Sequence, residues 1–514
     1  MNTKIFYHTR HIPVAHLNQD TPMGKDVVSN GLCDVLESPN AETMAEYGID
    51  IIETRAVWYE SEAKQGCIDF SRLKADIAKI KEKGFGVGVF PWFQHPPAWE
   101  NNGVKLTCLE HGEKSTLISL WDDTLLAVYD RMYGALSPES REEIDFLYVG
   151  VYGDYGEVFF PNGVRHYVFS PPHNHRGMWC GDPLARASFK AFLQSKYETI
   201  DRLNEVWETE CRDFDEDLMG CSDTIAYKRD IAKWYSESLM SFADKVCAVA
   251  RKHFPTTRMG LPIGHVYEPI EIGQVKSMAA KLAATYNLTA RWTGWAHLKD
   301  FGLSNVCARR IASAASFYGA EFGVEAALIL DEDNAANAMF EALSNKATII
   351  HNDSGNIVKA MNIYSLLKTL PVEESYVTQT AIFYPLEAEQ CGVTDMESFY
   401  RQAAVLRRYV DYDIFDSYML EDGYGSVLKT VILLPETYIT QQTAEEFLHL
   451  QSAGVTFYHI SGCAPRLLET GENIAIGTAI CDYSQFGEDD GCFYTQCGEK
   501  LYCYNPKTRV ICLK

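Results

Sequence analysis

Long hydrophobic runs and an excess of positive charge are both missing from this sequence of 514 residues. No stretch approaches the ~20 consecutive apolar residues that cross a bilayer, so we expect no membrane-spanning helix. Lys plus Arg number 46 against 70 for Asp plus Glu, a formal net charge of −24. Because an acidic surface repels phosphate groups, we expect neither nucleic acid nor an anionic membrane as a partner.

Signals for export and for nucleotide binding are missing as well. The N-terminal segment MNTKIFYHTRHIPVAHLNQD lacks the apolar stretch of about 7–15 residues found in signal peptides, so we expect a soluble, cytoplasmic protein. The 15 cysteines are scattered along the chain, which in such a protein indicates reduced thiols. The sequence has no Walker A motif and no GxGxxG after a predicted strand, and we expect no cofactor.

Short apolar runs alternate with amphipathic stretches over the first 370 residues or so, a pattern typical of a parallel sheet covered by helices. Between the second and third runs, Phe70, Leu73, Ile77 and Ile80 have helical spacing and Gly84 ends the predicted helix. Eight strands separated by helices favour a (β/α)8 TIM barrel over an open sheet. The predicted strands are 4–8, 49–58, 84–90, 145–152, 258–263, 289–292, 320–328 and 347–351.

Further α/β material follows the predicted barrel. Strand-like runs such as VTQTAIFYP and VLKTVILLP alternate with helical runs such as TAEEFLHLQSAG, which indicates a small doubly wound domain. The chain then ends in short alternating runs with turn residues between them. We predict a catalytic barrel at 1–372, a flavodoxin-like domain at 373–463 and a small antiparallel β domain at 464–514. The flavodoxin-like domain is expected to join subunits of a homo-oligomer, a dimer or a trimer.

Two acidic residues stand at the carboxyl ends of predicted barrel strands, where the reactive groups of such barrels gather. Glu157 follows the fourth strand in the glycine-rich run FLYVGVYGDYGEVFFP, and glycine allows sharp turns close to a ligand. Glu325 lies in the seventh, in the apolar stretch AEFGVEAALIL. Either glutamate alone is equally well explained as a salt-bridged or capping acid. Together they indicate the paired carboxylates of glycoside hydrolysis.

Aromatic residues make up 12% of the chain, and several follow other predicted strands. Flat rings stack on the C–H faces of sugars while neighbouring polar groups bind the hydroxyls. We therefore predict substrate-binding roles for these rings, with core filling as the alternative for any one of them. The candidates are Trp58 after the second strand, Trp92 and His95 after the third, and Trp292 and Trp295 after the sixth.

Other polar residues were weighed as ligands of substrate or metal. His173 and His175 lack a partner acid or cysteine at a diagnostic spacing, and the cysteines between 492 and 512 do not have the spacing of a CxxC site. We therefore predict no metal site. Polar residues that end or follow predicted strands are candidates for contacts with sugar hydroxyls. They are Asp154, Arg55, Asn352 and Asp353.

The segment KYETIDRLNEVW at 196–207 resembles the Tyr-x-Thr-Ile-x-x-Leu-Asn-x-x-Trp segment of glycoside hydrolase family 42 β-galactosidases, which belong to the clan A barrels. The matching residues are Tyr197, Thr199, Ile200, Leu203, Asn204 and Trp207. In that family a barrel is followed by a flavodoxin-like and a small β domain, the order found above. The resemblance implies a retaining enzyme that removes a terminal, β-galactoside-like sugar from an oligosaccharide or glycan. It makes Glu157 the acid/base and Glu325 the nucleophile.

One position departs from that family. Its members have asparagine directly before the acid/base, whereas this chain has Gly156. The local pattern Gly153-x-x-Gly156-Glu157-x-x-x-Pro161 is similar instead to the acid segment of β-amylases, which are inverting barrel enzymes. Both resemblances make Glu157 the acid. The alternatives are an inverting hydrolase of a mannoside, sialoside or glucan, with Glu325 as base, and an inactive sugar-binding protein.

Overall fold

The computed structural model describes residues 4–8, 40–46, 49–153, 155–161, 177–264, 267–294, 301–326, 337, 340–352, 378, 380–497, 500–508 and 510–513. Its first part is a closed barrel of eight parallel strands that follow one another in sequence order, with β4 and β5 forming a separate hairpin. The strands of this part are β1 Lys4–His8, β2 Ile51–Val57, β3 Gly86–Trp92, β4 Lys105–Thr107, β5 Lys114–Ile118, β6 Phe146–Tyr148, β7 Arg258–Ile263, β8 Leu288–Gly294, β9 Glu321–Ala326 and β10 Ile349–Asn352.

All eight predicted barrel strands are present, two with the predicted bounds and six with shifted ends. The largest difference is in β6, which ends at Tyr148 although the apolar run continues to Tyr152. The backbone leaves the sheet at Gly150, where a Cβ would lie only 1.8 Å from the carbonyl oxygen of Pro91. The chain can therefore pass over the end of β3 only because residue 150 is glycine.

Helices cover the outside of the barrel. Leu73, Ile77 and Ile80 are buried on α3, as the sequence spacing predicted, and Gly84 follows the helix with a φ of 82°. The helices up to β10 are α1 Asn40–Glu46, α2 Trp58–Ser61, α3 Ser71–Glu82, α4 Asp123–Ala135, α5 Pro138–Glu142, α6 Pro183–Tyr197, α7 Ile200–Trp207, α8 Ile225–His253, α9 Lys276–Thr285 and α10 Phe301–Tyr318. In the described part of the chain, no helix combines the length and apolar character needed to span a bilayer.

The segment 196–207, which carries the resemblance to family 42, fastens α6 and α7 to α8. The hydroxyl of Tyr197 and Nε1 of Trp207 both donate to Oδ2 of Asp230, at 2.5 and 2.9 Å. The side chain of Asn204 bonds both the backbone N–H and the carbonyl of Cys211, at 2.9 and 2.8 Å. These matching residues therefore hold the helical layer together.

A second parallel sheet follows, in the order β12-β11-β13-β15-β17. Numbered within this sheet the order is 2-1-3-4-5, that of flavodoxin-like doubly wound folds. The sheet extends to Ile480, past residue 463. The sequence did not reveal its last strand, β17, because three residues are too few to show an alternating pattern. The strands are β11 Thr380–Phe383, β12 Asp413–Phe415, β13 Thr430–Leu433, β14 Tyr438–Ile439, β15 Thr456–Ile460, β16 Arg466–Leu467 and β17 Thr478–Ile480, of which β14 and β16 pair separately.

Four helices accompany the second sheet, and a small antiparallel sheet ends the described chain. The helices are α11 Leu386–Gln390, α12 Met396–Leu406, α13 Ser417–Glu421 and α14 Gln441–Ser452. The last three strands are β18 Phe493–Cys497, β19 Lys500–Asn505 and β20 Val510–Leu513. The predicted succession of a curled parallel sheet, a second parallel sheet and a C-terminal antiparallel sheet is thus confirmed.

Candidate active site

The segment after β6 makes a tight turn that presents Glu157 at the carboxyl end of the barrel. The N–H of Gly156 donates to the carbonyl of Gly153 at 2.8 Å, and the N–H of Val151 donates to the carbonyl of Gly156 at 2.7 Å. Gly156 has a φ of 78°, in the left-handed region. A Cβ there would lie 3.0 Å from the ring of Phe90 and 3.1 Å from that of Trp92. An asparagine at this position would therefore crowd both rings and adopt a backbone conformation that favours glycine.

Glu157 is a buried carboxyl, 6% exposed. Its Oε1 accepts a hydrogen bond from the hydroxyl of Thr293 at 3.0 Å, and its Oε2 is buried without a hydrogen-bond partner among the described residues. Burial raises the pKa of the Glu157 carboxyl above its usual range, although the charge of Arg291, the Thr293 hydroxyl and the charge of Arg55 all oppose the shift. A raised pKa favours the protonated form of the carboxyl, which is the form a general acid requires.

Glu325 lies on β9, with Thr293 of β8 and His351 of β10 as its register neighbours. Its Oε2 forms an ion pair with Nη1 of Arg291, whose side chain is 2% exposed. Nη2 of the same arginine donates to the Thr293 hydroxyl at 3.3 Å. A guanidinium so close to the carboxylate favours its ionised form, as either a nucleophile or a base requires.

Arg291 and Thr293 therefore connect the two predicted catalytic acids. Both residues lie on β8 with one residue between them, so the pleat directs both side chains to the same face. That face is the barrel interior, since Arg291 also lies over the ring of Tyr148, at 4.8 Å. The connection runs from Glu325 through Arg291 and Thr293 to Glu157. The structure thus brings together the two glutamates that the sequence placed on strands four and seven.

Two further charged side chains of β2 face the same interior. The guanidinium of Arg55 lies over the ring of Trp92, 4.1 Å from its centroid. Its positive charge acts to lower the pKa of Glu157. Glu53 is fully buried, and its charge acts on both Arg291 and Tyr148. The described interior therefore holds three carboxyls and two guanidiniums close together. Arg55 therefore lies in the same interior as the predicted acid, and its contact with a substrate stays a prediction.

The predicted tryptophans divide between the two faces of the barrel wall. Trp92 points inward and packs with Phe90, Tyr148 and Tyr155. Trp292 points outward into the core beneath the helices, because it lies between the inward residues Arg291 and Thr293. Trp58 is fully buried in the same outer core, where its Nε1 donates to Glu62 at 2.8 Å. For Trp58 and Trp292 the structure therefore favours core filling over contact with a sugar.

His95 is buried beside the turn that carries the acid. Nε2 of Gln94 lies 3.2 Å from Nε2 of His95 and donates to the carbonyl of Gly153 at 2.9 Å. The His95 ring packs edge-on against Trp92, at 6.2 Å. His95 thus borders the predicted site, next to the residues that shape it.

The other sequence candidates are less fully described. Asp154, Trp295 and Asp353 lie outside the described residues, as do His173 and His175. Asn352 ends β10, where its backbone pairs with Ala326, and its side chain is not described. Within the described ranges no group of three or more His, Cys, Asp or Glu residues is arranged to hold a metal ion.

Sequence reasoning missed Glu53, Thr293 and Arg291, although a signal for β8 was present. In LTARWTG the polar residues Thr289, Arg291 and Thr293 alternate with Ala290 and Trp292. Alternation usually places the polar face outward, but in this barrel the polar face points inward to the acids. Glu53 lies in β2 and is fully buried, and its charge acts on Arg291, which comes from another strand.

Comparison with known proteins places this geometry in a fold family. No known family model and no curated protein matches the sequence. Among solved structures, a β-galactosidase from Bacillus circulans sp. alkalophilus matches with a TM-score of 0.63 at 11% identity, over 100% of this chain and 80% of that one. An apo exo-carrageenase GH42 from Bacteroides ovatus matches with a TM-score of 0.61 at 12% identity, over 90% and 74%.

A structure of a second kind also matches much of the chain. The catalytic domain of a β-amylase from Paenibacillus polymyxa has a TM-score of 0.55 at 15% identity, over 72% of this chain and 100% of that one. At such low identities the likeness concerns the fold alone. The resemblance stated from the sequence is confirmed at that level: the chain has the fold of the GH42 β-galactosidases over most of its length, and its barrel is also similar to that of β-amylase.

Proposed function

We propose that this protein is a glycoside hydrolase that removes a terminal sugar from an oligosaccharide or glycan, with Glu157 as general acid and Glu325 as nucleophile. The observation that carries the proposal is the connection of these two carboxyls through Arg291 and Thr293. One acid is buried with a raised pKa, which favours its protonated form, and the other is held by a guanidinium. Two carboxyls with opposite protonation states are what glycosidic cleavage requires.

The hydrogen bonds indicate which oxygen of Glu157 carries the proton. Oε1 accepts from Thr293, so the acidic proton resides on Oε2, which has no partner among the described residues. Oε2 would donate this proton to the departing glycosidic oxygen while the Glu325 carboxylate attacks the anomeric carbon. In a retaining enzyme Glu157 then deprotonates the water that hydrolyses the glycosyl intermediate.

The substrate we propose is β-galactoside-like, because several of the similar structures are β-galactosidases. The proposed division of the chain is a catalytic barrel followed by two smaller domains, of which the flavodoxin-like one joins subunits. A screen of nitrophenyl glycosides, with both anomers of each common sugar, tests the proposal directly. Hydrolysis of a terminal sugar by the wild type and not by Glu157→Gln supports it, and binding without turnover of any glycoside contradicts it.

An inverting mechanism is the second candidate, and Gly156 is the observation that favours it. An asparagine in place of Gly156 would crowd Phe90 and Trp92, and the chain is similar to the catalytic domain of a β-amylase. Inversion needs room for a water between the carboxyls, ~6.5–9.5 Å apart instead of ~5–5.5 Å. Proton NMR of the first-formed anomer decides between the two. A product with the configuration of the substrate supports Glu325 as nucleophile, and the opposite configuration makes Glu325 a base.

A further inference from the structure

Residues 267–275, here called the support loop, lie between β7 and α9 and hold the backbone around the acid. The N–H of Phe160 donates to the carbonyl of Ile272 at 2.9 Å. Nε2 of Gln274, a fully buried side chain, donates to the carbonyl of Val158 at 2.8 Å. Two residues shortly after Glu157 are therefore bonded to the support loop: Phe160 donates to it and Val158 accepts from it.

Glu268 of the support loop fastens the loop to the second parallel sheet and its helices, residues 380–480, here called the second unit. The backbone N–H of Glu268 donates to Oε1 of Glu389 on α11, at 2.8 Å. The hydroxyl of Tyr384, which follows β11, donates to the other oxygen of Glu389 at 2.5 Å. Next to Glu268, the ring of Tyr267 packs edge-on against Tyr400 of α12, at 5.2 Å. The loop thus contacts the acid segment on one side and the second unit on the other.

The attachment is completed by a buried group of ions, here called the interface cluster and made of Glu268, Lys276, Arg310, Glu389 and Asp416. Oε1 of Glu268 lies 3.2 Å from Nε of Arg310 and 3.6 Å from Nζ of Lys276. Arg310 continues to Oδ2 of Asp416 on the second unit, at 2.5 Å. Buried charges depend strongly on their partners, since a lost partner leaves an uncompensated charge in the interior. The cluster therefore fixes the position of the loop firmly.

We propose that Glu268 is a positioning residue for the general acid, and that docking of the second unit, through Glu389 and the support loop, keeps the Glu157 segment in the geometry for proton donation. The inference rests on the proposed function only in taking Glu157 as the acid. The rest of the inference concerns hydrogen bonds alone: the second unit binds the support loop, and the support loop binds Val158 and Phe160.

A contact of the same kind elsewhere provides the control. Lys281 of α9 forms an exposed ion pair with Asp422 of the second unit, with Nζ and Oδ2 2.7 Å apart. This pair also joins the two units but does not touch the support loop. A role of Glu268 in general stability would be shared by Lys281, whereas a role in positioning the acid would not.

Hydrogen–deuterium exchange of the full chain tests these hydrogen bonds without any substrate. We expect the amide of Phe160, which donates to Ile272 of the support loop, to exchange at least tenfold faster in Glu268→Gln and in Gln274→Met than in wild type. In Lys281→Gln its exchange should be unchanged. Gln274→Met keeps the interface cluster intact and so remains informative if Glu268→Gln folds poorly. Equal exchange in Gln274→Met and wild type, or equal acceleration in Lys281→Gln, would overturn the proposal.

Kinetics test whether the positioning serves the acid. In Glu268→Gln and Gln274→Met we expect kcat to fall at least fivefold on a glycoside with a poor leaving group, with little change on an activated one that needs no proton. Since burial raises the pKa of Glu157, a looser segment should also move the alkaline limb of the pH profile to lower pH. An equal loss on both leaving groups would overturn the proposal. If even the wild type hydrolyses no glycoside, the proposed function fails while the exchange result stands.

Discussion

The hydroxyl of Thr293 on β8 donates a hydrogen bond to Oε1 of Glu157, across 3.0 Å. Because the same hydroxyl accepts a hydrogen bond from Arg291, its own proton is directed to the acid. The bond favours the ionised form of Glu157 and so limits how far burial raises its pKa. A single threonine therefore moderates the acidity of the proposed proton donor.

Replacement of Thr293 by valine should raise the pKa of Glu157 further, since valine keeps the shape and removes the donor. The acid must be protonated to act, so we expect the alkaline limb of kcat/KM against pH to move to higher pH. Thr289→Val, on the same strand, removes a bond to Glu321 instead and should leave the limb in place. A limb that moves to lower pH in Thr293→Val would contradict the assignment of Glu157 as acid.

The two glutamates proposed as catalytic should respond differently to the leaving group. Glu157→Gln and Glu325→Gln should each lower kcat on a poor leaving group by roughly 100- to 10,000-fold, the usual effect of losing acid or nucleophilic catalysis. With an activated leaving group Glu157→Gln should recover much of its first step, because no proton is needed there. Glu325→Gln should not recover. Steady-state kinetics on a matched pair of glycosides shows whether the two roles are reversed or absent.

Removal of the guanidinium of Arg291 should destabilise the protein through the charges it leaves behind. We expect Arg291→Met to cost about 3–5 kcal/mol in the free energy of unfolding, the range for breaking a buried ion pair. The double variant Arg291→Met, Glu325→Gln should recover a large part of this loss, because the orphaned charge is then gone. Arg258→Met breaks a more exposed pair with Glu321 and serves as control. Urea unfolding of the wild type, both single variants, the double variant and the control measures these losses, and losses that simply add would refute the pairing.

The sequence predicted the strands and both glutamates, because glycine-rich turns and apolar runs are local features. It could not predict which side of a strand faces the barrel interior. Trp292 and Arg291 are neighbours in sequence, yet one lies in the outer core and the other beside Glu325. That choice depends on the register with β7 and β9, which is fixed only when the barrel closes. The role of the support loop was not predicted for a related reason, since its bonding partners Val158 and Glu389 lie more than 100 positions away from it in the sequence.

Replacing Gly156 by asparagine, the residue of family 42, should lower the stability of the folded protein. Gly156→Asn places a Cβ 3.0 Å from Phe90 and 3.1 Å from Trp92 at a φ of 78°. We expect a loss of about 1–3 kcal/mol, typical of overpacking. Gly220→Asn provides the comparison, because Gly220 has a φ of 80° with nothing within 4 Å. A melting temperature that falls for Gly156→Asn but little for Gly220→Asn assigns the loss to crowding, whereas equal falls would assign it to the backbone alone.

The interface cluster should make stability depend on pH through Glu389. Burial, and then the facing charge of Glu268, raise the pKa of Glu389 to about 7, although the Tyr384 hydroxyl and the charge of Lys276 oppose the shift. A carboxyl in the unfolded chain loses its proton near pH 4.5, so the folded form holds a proton that the unfolded form has released. Stability should therefore fall as pH rises between these two values and level off above pH 7.

Glu389→Gln removes this titration while it keeps the acceptor for the N–H of Glu268. A difference of about 2.5 pKa units corresponds to roughly 3 kcal/mol. We therefore expect the stability of Glu389→Gln relative to wild type to rise by up to that amount from pH 4.5 to pH 8. Asp422→Asn, in the exposed pair with Lys281, should show no such trend. Urea unfolding at a series of pH values measures the difference. A constant difference would show that Glu389 is ionised in the folded protein and that the cluster holds an unbalanced negative charge.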